Sequence, residues 1–194
     1  CYPCAGLTAW YALVEKSSIG RGSTVLLQGT GGVAMAGLQF ARALGARAIV
    51  LSSNDERLEQ ARELGADHTI NYRDNPEWGR EAFDFAGHGV DAVLDIGGTG
   101  TLGQSLTAIR HGGHINIIGY VAGVELGITV FPLIVRNANL HGIGTGHRAA
   151  YLAMMECVAE HRLTPVIHRS YPFDAAREAL EALAREEMEG VIEL

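Results

Sequence analysis

The sequence predicts a doubly wound parallel α/β sheet, because short runs rich in Val, Ile and Leu alternate with amphipathic stretches along most of the chain. The runs are predicted strands, at 24–27, 48–51, 68–70, 91–94, 114–118 and 139–143. Most of them are continuously apolar, which is typical of strands that are buried on both faces. The stretches between them are predicted helices, at 33–44, 55–64, 77–86, 100–109 and 147–161.

Turn and capping residues support this division. Gly45, Gly65 and Gly112 follow predicted helices, where a residue in the left-handed conformation commonly ends a helix. Asn54 and Thr99 lie at predicted N-caps. Strands that alternate with helices form a parallel sheet with right-handed crossovers. About six such strands predict the order 3-2-1-4-5-6.

The two ends of the chain depart from this alternation. Residues 4–17 are predicted to form a helix outside the repeating pattern, and a different unit follows Arg162. That unit comprises a predicted strand at 166–171, a helix at 174–187 and a last strand at 191–194. We therefore expect one domain at 1–161, with 1–17 as its lead-in helix, and a C-terminal segment at 162–194 that belongs to a neighbouring domain.

Composition narrows the classes of function. The 194 residues suffice for one domain with a substantial core. A net charge of −7 without a basic stripe argues against nucleic-acid binding, and no apolar stretch reaches the roughly 18 residues of a membrane span. Three cysteines are too few for a disulfide framework, which favours a cytoplasmic setting. The chain begins with Cys1 instead of Met, so we expect further functional groups upstream.

The first predicted strand runs into a glycine-rich turn that matches the pattern G-x-G-x-x-A. The turn consists of Gly29, Thr30, Gly31, Gly32, Val33 and Ala34. Gly29 permits a tight turn, Gly31 lets a pyrophosphate approach the backbone, and Ala34 keeps the next helix close to the strand. The amides and dipole of that helix favour two phosphate charges. This context favours a dinucleotide site in a Rossmann fold, with an S-adenosylmethionine-dependent methyltransferase as the main alternative.

The end of the second predicted strand bears on which dinucleotide is bound. In NAD-binding domains an acidic residue about 20 positions after the glycines binds the ribose 2′-hydroxyl. Here that position holds Ser52 and Ser53, while Asp55 and Glu56 come later, in a helical turn where acidic residues are favoured anyway. A neutral pocket near Arg57 favours the 2′-phosphate of NADP(H). NAD(H) stays open, since Arg57 also suits a solvated helix surface.

Several motifs spread over essentially the whole chain carry a family resemblance. They are Pro-Cys-Ala-Gly-Leu-Thr-Ala-Trp-Tyr-Ala-Leu at 3–13, Gly-Thr-Gly-Gly-Val at 29–33, Leu-Gly-Ala-Asp-His at 64–68, Ile-Asn-Tyr at 70–72, Pro-Val-Ile at 165–167 and Pro-Phe at 172–173. This set resembles the medium-chain dehydrogenase/reductase superfamily, in its zinc-type alcohol dehydrogenase-like and quinone oxidoreductase branch. The resemblance implies hydride transfer between a nicotinamide and an alcohol or aldehyde, a quinone or an enone.

The resemblance also implies how the site is divided. The chain corresponds to the cofactor-binding domain, and its terminal segments belong to a GroES-like catalytic domain that is missing here and holds most catalytic residues. The implied cofactor-binding residues are Ser52, Ser53, Arg57 and Tyr72 around the adenosine 2′-group, Gly29, Thr30, Gly31, Gly32 and Val33 at the pyrophosphate, Gly97, Gly98 and Gly119 where the cofactor crosses the sheet edge, and Thr8, Ile143 and Gly144 at the nicotinamide end.

Cys4 raises the question of a metal. In the zinc alcohol dehydrogenases its equivalent ligates the catalytic zinc, together with a Cys and a His from the N-terminal domain. A thiolate there helps a tetrahedral Zn²⁺ to polarise an alcohol or carbonyl oxygen. Many relatives with the same local motif lack the other ligands, and the thiol is then an ordinary buried group. The zinc dependence therefore stays open.

Partners and alternative functions complete the expectations. Relatives commonly dimerise by pairing their sixth strands, and the apolar stretch 130–143 favours a homodimer through that edge. The expected partner otherwise is a small-molecule substrate, without nucleic acid or membrane. The alternatives are a non-catalytic NADPH-binding module and an enoyl reductase segment of a larger synthase.

Overall fold

The computed structural model describes residues 2–125, 127, 129–184 and 191–193. A six-stranded parallel sheet forms its centre. The strands are β1 (Thr24–Gln28), β2 (Arg47–Ser52), β3 (His68–Asn71), β4 (Val90–Asp95), β5 (Ile109–Ile117) and β6 (Asn139–Gly142). Their order across the sheet is β3-β2-β1-β4-β5-β6, which confirms the predicted topology.

Helices cover both faces of this sheet. They are α1 (Leu7–Trp10), α2 (Gly32–Ala43), α3 (Asp55–Glu63), α4 (Trp78–Ala86), α5 (Leu102–Ala108), α6 (Val130–Arg136) and α7 (Arg148–His161). Helix α1 is flanked by π-helical turns at Tyr2–Gly6 and Tyr11–Lys16. One buried cluster joins α1, α2, α3 and α7 to one face of the sheet. The other joins α4 and α5 to the opposite face, where α6 packs through Leu133.

The central strands are buried on both faces because their side chains alternate between these two clusters. Val25 and Leu27 of β1 contribute to the cluster with α2, whereas Leu26 between them packs with α4 and α5. All three side chains are fully buried. A strand in this position has no polar face, which is why the sequence shows β1 as one apolar run.

The predicted helix cap at Asn54 and the predicted helix ends at Gly45 and Gly65 are confirmed. Asn54 caps α3, since its side-chain oxygen accepts a hydrogen bond from the Arg57 backbone N–H at 3.0 Å. Gly45 and Gly65 end helices α2 and α3 with φ of 75° and 96°. Gly112 also has a positive φ, of 71°, but it lies inside β5 because the preceding helix already ends at Ala108.

The N-cap prediction for Thr99 is wrong. Helix α5 begins three residues later, at Leu102, after a short 3₁₀ turn at Gly98–Gly100. The Thr99 hydroxyl instead donates a hydrogen bond to the carbonyl oxygen of Glu125. Thr99 therefore ties the loop after β4 to the loop after β5.

The apolar stretch 130–143 contains a helix that the sequence analysis did not anticipate. Helix α6 occupies its first half and ends at Arg136, followed by the C-cap residue Asn137 with a φ of 46°. Strand β6 follows at the edge of the sheet. Pro132 is accommodated because it lies in the first turn of α6, where its missing N–H needs no intrahelical acceptor.

The C-terminal unit forms a second, two-stranded parallel sheet. It contains β7 (Ile167–Ser170), a 3₁₀ turn at Phe173–Ala175, α8 (Ala176–Ala184) and β8 (Val191–Glu193). The predicted helix at 174–187 is confirmed up to Ala184, and its last three residues, like Leu194, lie outside the described residues. The assignment of this unit to a neighbouring domain stays a prediction.

Among the described helices, none combines the length and the apolar character that a membrane crossing requires.

Two half-buried histidine rings stack between β5 and the edge strand β6. His114 Nδ1 of β5 and His141 Nε2 of β6 lie 3.0 Å apart, and the ring centroids are separated by 5.2 Å. Burial, His141 and Arg110 lower the pKa of His114 below its usual 6.5, against the opposing effect of Asp91. Burial and Lys16 lower the pKa of His141. The folded protein therefore favours the neutral rings.

Acidification should weaken the β5–β6 pairing. A lowered pKa in the folded state means that the unfolded chain binds more protons, so this stabilisation is present above about pH 6.5 and is lost as the pH falls below it. We expect His141→Gln to reduce the fall in Tm between about pH 8 and about pH 5.5 by about 2 °C relative to the wild type. Thermal unfolding across this range measures it.

Exposed His88 provides the matched control, because His88→Gln removes one imidazole away from the pair. Its pH dependence should match that of the wild type. An unchanged pH dependence in His141→Gln would contradict the assignment.

Candidate dinucleotide-binding site

The glycine-rich turn lies at the carboxyl end of β1, where the chain passes into α2. Gly29 has a φ of 77°, and an added Cβ would lie 3.1 Å from the Ile96 side chain. Its N–H donates to the carbonyl oxygen of Leu51 at 2.6 Å, which holds the turn against β2. Gly31 is extended, and an added Cβ there would meet no atom within 4 Å. The backbone at Gly31 is therefore open to a ligand.

The amino end of α2 has the features of an anion site. Gly31 is its N-cap, and the first turn contains no acidic residue. The first N–H groups of a helix have no intrahelical acceptor and lie at the positive end of its dipole. Since α2 has 12 residues and points this end at the open turn, the arrangement fits a pyrophosphate. Thr30 lies in the turn, and Gly32 and Val33 are the first residues of α2. Their binding of a pyrophosphate stays a prediction.

Small residues hold α2 close to the sheet. An added Cβ at Gly37 would lie 3.0 Å from Leu94 Cδ1 and 3.2 Å from Leu27 Cδ2. Ala34 and Ala41 on the same helix are buried. This close packing places the amino end of α2 directly at the ends of the central strands.

The ends of β2 and β3 carry residues that are predicted to surround the adenosine 2′-group. Ser52 is buried, and its carbonyl oxygen accepts a hydrogen bond from the Tyr72 N–H at 3.1 Å. Tyr72 is 43% exposed. Ser53 follows β2, and Arg57 follows in the first turns of α3. The structure thus brings Ser52 and Tyr72 together.

The sequence analysis did not identify the contact between Asn71 and Asp55. Asn71, the last residue of β3, donates a side-chain hydrogen bond to Asp55 Oδ1 at 2.8 Å. Asp55 is the acidic residue closest in sequence after Ser52. One oxygen of this carboxylate is therefore already bound by the protein.

Residues from the two ends of the α/β domain meet at the predicted nicotinamide end. The Thr8 hydroxyl donates to the Cys4 carbonyl oxygen at 2.9 Å, and it lies 3.5 Å from the carbonyl oxygen of Gly144. Ile143 is buried and donates its N–H to the carbonyl oxygen of Ile117 at 2.9 Å. Thr8 and Gly144 are therefore neighbours, and Ile143 directly precedes Gly144. Their contact with a nicotinamide stays a prediction.

An apolar cleft of about 580 Å³ adjoins this point. Among its lining residues are Gly98, Gly119 and Ile143, all predicted, and also Ile117 and Tyr120. A Cβ at Gly119 would lie 2.5 Å from the Ile96 carbonyl oxygen, and Gly98 has a φ of 73°. Glycine is required at both positions. The cleft can accept a flat, weakly polar ring.

Gly97 and the buried residues beneath it complete the loop after β4. An added Cβ at Gly97 would overlap the Thr101 side chain. Two residues below the loop, Gln28 and Asp95, were not identified from the sequence. The sequence could have indicated them, since each is a polar residue at the carboxyl end of an otherwise mostly apolar strand.

The metal question rests on one side chain. The Cys4 thiol is exposed. Within the described part of the chain, no group of three or more His, Cys, Asp or Glu residues could hold a metal ion. The described residues therefore form no such site by themselves, and Cys4 is the zinc ligand that the resemblance suggests.

The sequence is similar to dehydrogenases that are named as zinc-binding or zinc-type. The family model for zinc-binding dehydrogenases matches residues 32–160. A zinc-type alcohol dehydrogenase-like protein from Schizosaccharomyces pombe is 40% identical over 186 residues, which cover 92% of this chain and 54% of that protein. A similarly named protein from Leptosphaeria maculans is 37% identical and covers 87% of this chain and 48% of its own length. The chain thus spans about half the length of these relatives.

Solved structures agree with the sequence relatives. A crystal structure from Sinorhizobium meliloti 1021, assigned to the alcohol dehydrogenases, superposes with a TM-score of 0.93 at 44% identity and covers 100% of this chain and 57% of that one. An NAD-dependent alcohol dehydrogenase gives 0.87 at 29% identity, covering 98% of this chain and 56% of that one. A mycobacterial protein complexed with NADPH gives 0.80 at 25% identity, with 97% and 61% covered.

The family model covers most of the domain that carries the glycine-rich turn, and the relatives extend the match over nearly the whole chain. The chain belongs to the zinc-binding dehydrogenase family of the medium-chain dehydrogenases and reductases.

Proposed function

We propose that this chain is the cofactor-binding part of an oxidoreductase that transfers hydride between NAD(P)(H) and an alcohol or aldehyde, a quinone or an enone. The observation that carries the proposal is the open backbone at Gly31 in front of the amino end of α2. Such a turn, at the carboxyl edge of a parallel sheet with this strand order, is a site for a dinucleotide pyrophosphate.

The chain's residues would bind and orient the cofactor along this edge. The amides at the start of α2 bind the pyrophosphate, and the Ser52–Tyr72 pocket receives the adenosine ribose. The apolar cleft beside Gly119 and Ile143 excludes water from one face of the nicotinamide ring. The bound nicotinamide itself supplies the hydride chemistry. Thr8 fixes α1 against the Gly144 segment at the same end.

We propose that the enzyme prefers NADP(H). Ser52 and Ser53 place hydroxyl groups where NAD-binding domains place a carboxylate. The nearest following carboxylate, on Asp55, is bound by Asn71 at 2.8 Å. Similar structures include both an NAD-dependent enzyme and an NADPH complex, so the preference rests on this pocket alone.

Parallel titrations of the purified protein with NADPH and NADH test the preference. We expect NADPH to bind about tenfold more tightly, a difference of about 1.4 kcal/mol. Ser53→Asp should reverse the preference, because its carboxylate repels the 2′-phosphate and accepts from a 2′-hydroxyl. Calorimetry measures both dissociation constants.

Ser18→Asp serves as the control, since Ser18 is exposed and has a φ of 50°, a conformation that Asp tolerates. It adds the same charge outside the pocket and should leave the ratio unchanged. Equal binding of the two nucleotides by the wild type would contradict the assignment.

We propose that two copies of the protein associate through the β6 edge. In the described sheet β6 pairs on one side only, with β5, so its outer backbone groups can pair with a second strand. Helix α6, which precedes β6 in the chain, exposes Val130, Phe131, Ile134 and Val135, and Phe131 is 73% exposed. An exposed apolar helix and an open strand edge both suit a symmetric contact.

Ile134→Asp should convert this dimer to a monomer, because burying an unpaired carboxylate in an apolar contact is unfavourable. Light scattering after size-exclusion chromatography measures the mass. Phe173→Asp is the matched control, since Phe173 is a comparably exposed apolar residue of the C-terminal unit. A monomeric wild type, or equal dissociation by both variants, would refute the contact.

A further inference from the structure

A buried carboxylate lies at the carboxyl end of β4. Asp95 is 0% exposed. Its Oδ1 accepts hydrogen bonds from the Thr101 hydroxyl at 2.6 Å and the Gly98 N–H at 3.0 Å. Its Oδ2 accepts from the Ser105 hydroxyl at 2.6 Å and from Gln28 Nε2 at 3.1 Å. Each oxygen thus has two donors, which offsets the cost of burying the carboxylate.

Gln28 connects this carboxylate to the glycine-rich turn. It is the last residue of β1 and directly precedes Gly29. Its Nε2 donates to Asp95 and, at 2.9 Å, to Ser105. Its Oε1 accepts from the N–H groups of Ile96 at 3.1 Å and Gly97 at 3.4 Å. One buried amide therefore bridges the end of β1 and the loop after β4.

The loop after β4 depends on these two side chains for its backbone hydrogen bonds. The consecutive N–H groups of Ile96, Gly97 and Gly98 all donate to Gln28 or Asp95. No helix or sheet ladder supplies these acceptors. Without the two side chains, three amides of one loop would lack their acceptors.

The loop after β5 is in turn built on the loop after β4. The carbonyl oxygens of Ile96 and Gly97 accept hydrogen bonds from the N–H groups of Val121 at 3.2 Å and Ala122 at 2.9 Å. The Asp95 carbonyl oxygen accepts from Ile118 at 2.8 Å. The apolar cleft is lined by Gly98 and by residues of this second loop. The shape of this cleft therefore depends on the loop after β4 and on the loop after β5.

The position of the bridge matters because β1 and β4 flank the point where the strand order reverses. From β1 the chain proceeds to β2 on one side, and β4 begins the other half of the sheet. A crevice opens at such a switch point, and ligands of doubly wound sheets bind there. The Gln28–Asp95 bridge lies across its floor, one residue beyond the paired residues Leu27 and Leu94.

An apolar pair of similar volume could not replace this bridge, because the N–H groups of Ile96, Gly97 and Gly98 would then lack their acceptors. We propose that Gln28 and Asp95 are positioning residues, which hold the loops after β4 and β5 at a fixed distance from the glycine-rich turn and so set the width of the dinucleotide cleft. This inference rests on the proposed dinucleotide binding.

Asp95→Asn tests the proposal, with Asp91→Asn as the matched control. Asp91 lies at the amino end of the same strand and also accepts two hydrogen bonds, from Thr24 N–H and Arg110 Nε, each at 2.7 Å. Both substitutions remove a charge that is bound by neighbouring donors, but only Asp95 lies under the cleft. The readouts are the dissociation constant for NADPH, Tm, and amide hydrogen exchange, all on the purified protein.

We expect Asp95→Asn to weaken NADPH binding about tenfold and to accelerate exchange at 96–98 and 121–122. Asp91→Asn should lower Tm while leaving the dissociation constant within about twofold of the wild type. Equal weakening by both variants, or wild-type affinity and exchange in Asp95→Asn, would overturn the proposal.

Ser105→Ala extends the test if Asp95→Asn does not fold, because it keeps the carboxylate and removes one donor to Oδ2 together with one acceptor of Gln28 Nε2. We expect roughly threefold weaker binding and faster exchange at 96–98, and no change in either would reject the proposal. If the wild type binds neither nucleotide, the proposed function fails. The exchange at 96–98 then decides separately whether the loop depends on Asp95.

Discussion

The close approach of α2 to the sheet is the contact on which the candidate site depends. Gly37 allows this approach, since even one added carbon would lie 3.0 Å from Leu94 and 3.2 Å from Leu27. A bulkier residue would move the helix outward, and the amino end of α2 would leave the strand ends. The amides that suit a pyrophosphate are therefore positioned by packing at Gly37, about 8 Å further along the helix axis.

The two halves of the cleft are stabilised in different ways. Behind the glycine-rich turn, apolar side chains such as Leu27 and Leu38 fill the space between α2 and the sheet. Beneath the loops after β4 and β5 the buried contacts are polar, from Gln28, Asp95 and Ser105. Apolar contacts have no preferred angle, whereas hydrogen bonds fix both distance and angle. The polar half therefore defines the backbone path more strictly.

The sequence was sufficient for features that depend on neighbouring residues or on burial. The apolar run of β1, the Asn54 cap and the positive φ of Gly45 belong to this class. Strand order followed from the alternation of elements. The predicted set at the nicotinamide end came from the family resemblance, and the structure brings Thr8 and Gly144 together.

The features that the sequence did not reveal depend on distant partners. Gln28 and Asp95 are 67 residues apart, and the stacking of His114 on His141 depends on the register between β5 and β6. Helix α6 was not anticipated, because its Val and Ile residues favour strands. Thr99 has a residue type suited to capping, but its hydroxyl binds the next loop.

The contact between Thr8 and Gly144 gives the two ends of the cleft different folding requirements. The glycine-rich turn joins consecutive elements, β1 and α2, so it can form from a short piece of chain. The contact of Thr8 with Gly144 closes a loop of 136 residues, and closing so long a loop carries a larger entropic cost. A dinucleotide that spans both ends would join an early-forming part of the chain to a late-forming one. The bound cofactor would then oppose separation of the first helix from the last strand of the central sheet, acting as a non-covalent crosslink of the native topology.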